Sequence, residues 1–271
     1  NDTPAQLTLL GSTAGATYQW ERSTNGCSGT WISIPGETNS TFTPPSLTTT
    51  TYYRVSVTST VNSIACTVYS NCVTITVNPA VNAGTINNNQ TICYGSNPAE
   101  FTGTIVAGGT YQWQNSIDGV NFTNIASATN ANYDDNTSIT QITYYRRITF
   151  VTTNTVTCQA NSNVISVTVN HITSAPVITG NQSACNVSGV TALSITTPAT
   201  ANGTITYRWQ ISTTGCSGSW TDIFPAATGT SYTPTALTAT THYRVKVIST
   251  LNAVACTDVF SNCVEVTFTG K

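Results

Sequence analysis

Nine cysteines are the residues in this 271-residue chain best suited to chemistry. Zinc sites use Cys-x2-Cys pairs or clustered His. The chain has no such pair, and its two histidines, His171 and His242, lie far from any metal-ligand spacing. Asp134 and Asp135 form the only adjacent acidic pair, with Asn136 beside them. Calcium takes six to eight oxygens, so these three fall short and read as a solvated loop. No Ser-His-Asp or Cys-His set can be assembled. The expectation is no catalytic residue, no cofactor, no metal and no enzymatic activity.

The cysteines fall at matching places in a repeat, and this makes them disulfide candidates. Trp20, Trp113 and Trp209 each follow a Tyr by two residues. Tyr53, Tyr145 and Tyr243 each precede an Arg: Arg54, Arg146 and Arg244. Both markers recur at about 92 to 98 residues, the length of an immunoglobulin-like sandwich. Short β-runs separated by Asn, Gly, Pro and Ser turns give about seven strands per unit. In the middle unit they are expected at 84–92, 100–106, 110–116, 121–125, 132–134, 142–151 and 163–170. Alternation of Val73, Ile75 and Val77 with Thr74 and Thr76 buries one face and wets the other.

Composition agrees with an all-β reading. Thr makes up about a fifth of the chain, charged residues only 7%, and the net charge is −2. That balance gives no electrostatic footprint for nucleic acid or anionic membrane. No apolar run reaches the roughly 20 residues of a membrane helix. A content of 39% hydrophobic residues with five Trp sets the chain apart from disordered sequences. The predicted fold is a tandem of disulfide-stapled immunoglobulin-like β-sandwiches spanning 1–80, 81–172 and 173–271. Short linkers poor in Gly and Ser predict an elongated rod.

The middle unit holds only Cys93 and Cys158, which predicts that they pair; Cys185 and Cys256 occupy the same places in the third. Cys27 and Cys72 in the first unit match Cys216 and Cys263 in the third. Val120 and Val164 replace both in the middle, and joint loss predicts Cys27–Cys72 and Cys216–Cys263 bonds. One objection stands against these last two: in a standard sandwich the two positions lie at opposite ends, while a disulfide needs Cα atoms within about 7 Å. Cys66 is left unpaired. Its counterpart by register would fall at or before residue 1, so the first module is expected to lack its first strand; a free thiol is the other reading. Disulfides imply an oxidising, extracellular setting.

Trp20, Trp113 and Trp209 sit mid-strand and are expected in the core. Trp31 and Trp220 follow a turn. They are expected to pack over the Cys27 and Cys216 turns, with stacking on a sugar ring or a neighbouring chain as the alternative. Arg54, Arg146 and Arg244 are expected over aromatic or loop surface.

The string Tyr-x-Trp-x-x-Ser, a turn Gly, an aromatic-x-x-Ile stretch, Leu-Thr-x-Thr-Thr-Tyr-Tyr-Arg, a Cys, then Ser-Asn-x-Val-x-Val-x-Val resembles the Ig-like repeats of giant surface adhesins. Those adhesins belong to gliding and environmental Bacteroidetes, including flavobacteria. The resemblance spans nearly the whole chain. It implies adhesion, gliding or extracellular filaments, and export by type IX secretion. His242 departs from the pattern by replacing the first Tyr of the triplet, and the extra cysteine pair in the outer units is a second departure.

Three functions are weighed on this basis. The first is a structural stalk of an adhesin or extracellular filament. The second is a carbohydrate- or surface-binding module. The third is an accessory part of a secreted polysaccharide-degrading enzyme. Expected partners are neighbouring repeats, other copies in a filament, and a glycan or surface ligand.

Overall fold

A computed structural model describes residues 3–11, 14–185, 189–235 and 237–269. All of its extended structure is β, and among the described residues no helix is long and apolar enough to cross a membrane. The chain divides into two compact units, Asn1–Ala80 and Val81–Lys271. The first holds one repeat. The second holds the other two.

Each repeat is built around three strands. The Trp strand spans Thr17–Ser23, Gly109–Ser116 or Thr204–Ser212. It pairs antiparallel with the long Tyr-Arg strand, Thr51–Val61, Thr143–Thr153 or Thr241–Leu251. That strand turns back as Ile64–Tyr69, Val156–Asn161 or Val254–Phe260. The turns use two residues of positive φ: Asn62-Ser63, Asn154-Thr155 and Asn252-Ala253. Paired positive φ values match the right-handed twist of a two-residue hairpin, and Asn tolerates them best.

The second and third repeats complete this sheet with a final strand, Ile165–Asn170 or Val264–Phe268. Against it runs a parallel edge strand, Gln90–Cys93 or Gln182–Ala184. A thinner sheet faces it: Ile86–Asn87 with Thr102–Gly103, or Val177–Thr179 with Leu193–Thr197 and Ser231–Tyr232. In the first unit the facing pair is Leu7–Thr8 with Thr41–Phe42, and the final strand is Val73–Ile75.

The expected strands differ in three places. The run 84–92 is two strands that change sheets around Asn88, whose φ is +92°. The run 132–134 contributes an isolated bridge from Tyr133 to Phe101 and no strand. Val156–Asn161 is a strand that the sequence pattern did not announce, and a break at a Ser-Asn pair parts it, like its counterparts in the other repeats, from the final strand. Ser70, Ser162 and Ser261 each accept a hydrogen bond at Oγ from the backbone N–H of Val55, Arg147 and Val245. The serine thus satisfies a donor that the break leaves without a ladder partner. Asn163 and Asn262 then bridge to the facing sheet, each accepting from and donating to one residue there, Ile86 and Ile178.

The cores follow the period-two pattern. Trp20, Trp113 and Trp209 are buried, and each indole donates to a loop carbonyl, that of Asn39, Asn130 or Gly229. Tyr53, Tyr145 and Tyr243 lie beside them.

Candidate functional site

The cysteine pairing departs from expectation, and the departure defines the site. Cys93 is bonded to Cys256 across 163 residues, joining the second repeat to the third. Neither the Cys93–Cys158 nor the Cys185–Cys256 pair forms. Cys158 and Cys185 carry no disulfide, and neither does Cys66.

Strand register gives the reason. In the second repeat Thr143 pairs with Val167, and Cys93 pairs with Asn170, three residues further out. Cys158 pairs with Val151, eight residues along the other way. At roughly 3.3 Å per residue the two cysteines are about 35 Å apart, far beyond disulfide reach. Cys93 and Cys158 therefore sit at opposite ends of one sandwich. The hairpin end of the third repeat turns back toward the edge-strand end of the second, and there the two meet.

Polar contacts surround the staple. Asn170 donates through Nδ2 to the carbonyls of Ser249 (2.8 Å) and Val254 (2.9 Å). Ser249 returns a hydroxyl hydrogen bond to Asn170 Oδ1 at 2.6 Å. At the hairpin turn Asn252 donates to the Thr91 hydroxyl. The linker is itself ordered: Ile172–Ser174 pairs with Thr200–Ala201, and Asn202 bridges the carbonyl of Val169 and the N–H of His171. Ile172 packs on Ala199 and Val247, while the His171 ring stacks on Tyr94 at 4.0 Å. Sequence reasoning assigned none of these residues. The Asn170 and Asn252 signals were present as residue types, but their partners lie in the neighbouring repeat.

The structure joins Cys27 to Cys72 and Cys216 to Cys263, with Cα–Cα distances of 5.8 Å in both. The Ser-Asn break removes the geometric objection. It starts the final strand near the beginning of the Tyr-Arg strand, with Val73 opposite Tyr53, one register step from Tyr52, which faces the last residue of the Trp strand, Ser23. The second repeat fixes the same loop without sulfur. Asp118 accepts from the backbone N–H groups of Asn121 and Val120 and from Ser116, which hold its carboxyl well below the usual carboxylate range. Val120 and Val164, at the cysteine positions, are exposed.

Trp31 and Trp220 each have a ring face covered from within the chain. The Arg54 guanidinium lies over Trp31 at 4.3 Å and Tyr69 at 3.9 Å; Arg244 lies over Trp220 at 4.5 Å and Phe260 at 3.9 Å. Arg146 covers Phe122 at 4.1 Å. Glu21 anchors Arg54, and Gln114 and Gln210 anchor the other two. The arginines thus occupy one face of each ring.

Asp135 is committed inside the second repeat. Its carboxylate accepts from the Tyr145 hydroxyl at 2.6 Å and from Thr137 at N and Oγ1. Nearby, Arg147 is fully buried where the other repeats carry Val55 and Val245. It donates to the carbonyls of Ala131 and Thr104, both at 2.7 Å, and stacks on Tyr111 at 4.1 Å. His242 lies 3.2 Å from Glu265. Among the described residues no three His, Cys, Asp or Glu side chains cluster as metal ligands.

Comparisons with known proteins bear on the repeat alone. Among solved structures, three N-terminal domains of the bacteriophage RB49 highly immunogenic outer capsid protein are 13% identical, covering 95% of this chain and 89% of that one at a TM-score of 0.39. A set of titin domains is 14% identical, covering 95% and 90%, at 0.41. Three fibronectin domains of chicken CNTN1 are 11% identical, covering 95% and 91%, at 0.33. At these scores the likeness carries no inference about activity or partners. No curated protein matches the chain. One family matches three times, over residues 1–79, 82–171 and 174–270. The chain therefore belongs, in three successive copies, to the family described as a domain of unknown function (DUF8696).

Proposed function

We propose that this chain is a load-bearing, non-catalytic segment of an extracellular tether, the stalk of a secreted surface adhesin or filament. The observation that carries this reading is the Cys93–Cys256 bond. A pull on the two ends of the second unit passes from Cys93 through sulfur to Cys256. Residues 94–255 are then bypassed, and most of two hydrophobic cores is shielded from extension. A binding module has no need of such a bypass, whereas a part that works under tension gains from it.

The resemblance to Bacteroidetes adhesin repeats supports the same reading and adds its finer terms: a cell-surface location and type IX export. Arg54 and Arg244 hold Trp31 and Trp220 into the chain's own side-chain stacks, as structural packing would require. Three disulfides support an oxidising setting.

Single-molecule force extension tests it. The C93S/C256S variant, with Cys216–Cys263 intact, should lengthen by roughly 400 Å more than the native chain, at 3.3–3.6 Å per freed residue. Equal extension of the two would sink the proposal.

A further inference from the structure

We infer that the Cys93–Cys256 bond is a reduction site selective for small thiols, admitted by the cavity beside its sulfurs and closed to protein reductants. On the tether reading, opening this bond releases the bypassed residues 94–255 to extension. That consequence rests on the tether reading; the chemistry of the site does not.

The cavity measures about 130 Å³, and both bonded cysteines line it, with Asn170, His171 and Val259. A cavity of about 150 Å³ holds benzene, so a small thiol fits. Tyr94 also lines it and is 49% exposed, so the cavity reaches the surface. A protein reductant meets a different geometry. Its thiol sits on a folded surface and must approach a sulfur to bonding distance. Cys256 is 6% exposed and Cys93 half-buried. The two loop disulfides differ, because Cys27 and Cys216 are exposed. Reductants of any size reach those.

Reduction takes two small thiol groups. The first, as a thiolate, attacks Cys93 Sγ, the more accessible sulfur. A bond forms to the small molecule, the bond to Cys256 breaks, and Cys256 leaves as a thiolate that takes a proton from water. The second thiolate attacks the small-molecule sulfur of the mixed disulfide and releases Cys93, which is protonated in turn. One protein disulfide and two small thiols become two protein thiols and one small disulfide.

Opening the bond leaves the junction assembled. Asn170 keeps the carbonyls of Ser249 and Val254, Asn252 keeps Thr91, and Ile172 stays packed on Ala199 and Val247. None of these contacts passes through sulfur. The two thiols stay side by side, so an oxidant restores the same bond.

The test exposes the folded full chain to dithiothreitol, or to thioredoxin recycled by its reductase and NADPH. Opened cysteines are trapped with iodoacetamide at intervals and mapped by mass spectrometry. Dithiothreitol should open all three disulfides. Thioredoxin should open Cys27–Cys72 and Cys216–Cys263 and leave Cys93–Cys256 closed. Tyr94→Ala widens the cavity mouth; it should speed dithiothreitol at Cys93–Cys256 several-fold and leave the loop disulfides at their native rates. Glutathione disulfide should then restore Cys93–Cys256. A junction bond that thioredoxin opens as fast as the loop bonds, one that dithiothreitol leaves closed in the folded chain, one indifferent to Tyr94→Ala, or one that re-forms with Cys158 in place of Cys256 would each overturn the inference. Under force, the dithiothreitol-treated chain should outreach the thioredoxin-treated one by roughly 500 Å, at 3.3–3.6 Å per freed residue. Equal reach with the mapping as expected would overturn the tether reading and leave the reduction site standing.

Discussion

Asn170 and Ser249, 79 residues apart, exchange two hydrogen bonds across the repeat junction and are 1% and 0% exposed. Each backbone is held in its own repeat's sheet, but these side-chain bonds form only across the junction. Each satisfies the other only when the third repeat's hairpin lies on the second repeat's final strand.

Removing one partner leaves the other buried without its bond, which costs about 1–3 kcal/mol. Asn170→Ala loses three hydrogen bonds and is expected at the upper end; Ser249→Ala loses its hydroxyl bond and is expected at the lower. The double variant should cost less than the sum, because both act on one contact. Urea unfolding of the second unit, monitored with the disulfides intact, measures all three.

The Tyr145–Asp135 pair predicts an alkaline weakness. Burial, and then the Asp135 hydrogen bond and charge, raise the Tyr145 hydroxyl far above its usual value of 10.0. A group raised in the folded state contributes its full stability below the unfolded value and loses it as pH climbs past 10. Each further pH unit then costs about 1.4 kcal/mol per such tyrosine. Tyr243, pushed up to about 12, adds to the slope in the third repeat. Tyr145→Phe should cost about 1.5–3 kcal/mol at neutral pH, because it removes a donor from a buried carboxylate. It should also remove one proton's worth of slope above pH 10. Denaturation midpoints from pH 8 to 11 check both.

Arg147 is a buried cation whose Nε has no partner, and burial lowers its pKa. Arg147→Ala strands the carbonyls of Ala131 and Thr104 and opens a void, at an expected cost of about 3 kcal/mol. Arg147→Met keeps the apolar stem over Tyr111 and drops the charge, so it should cost less. Thermal unfolding of the two variants should rank them in that order; the reverse order would show that the guanidinium is a net gain.

Much of the sandwich was written in the residue pattern. Alternating Val and Thr, the Tyr-x-Trp spacing and the Tyr-Arg step are local signals of period two. They hold because a half-buried strand must put one face in and one face out. The Cys27–Cys72 and Cys216–Cys263 partners were legible too, since both members vanish together from the second repeat. Arg54, Arg146 and Arg244 landed on aromatic surface because a guanidinium two strands from an exposed ring finds it without long-range help.

What the tertiary structure alone decided is which end of a repeat meets its neighbour. Cys93 and Cys158 recur at a fixed period, and a periodic sequence does not distinguish a partner within one repeat from a partner in the next. The choice depends on strand direction, the Ser-Asn break and the length of the hairpin. Together these put one cysteine about 35 Å from its apparent mate and beside Cys256. A disulfide has a reach of a few ångströms, so three-dimensional proximity, and not sequence equivalence, determines which thiols join.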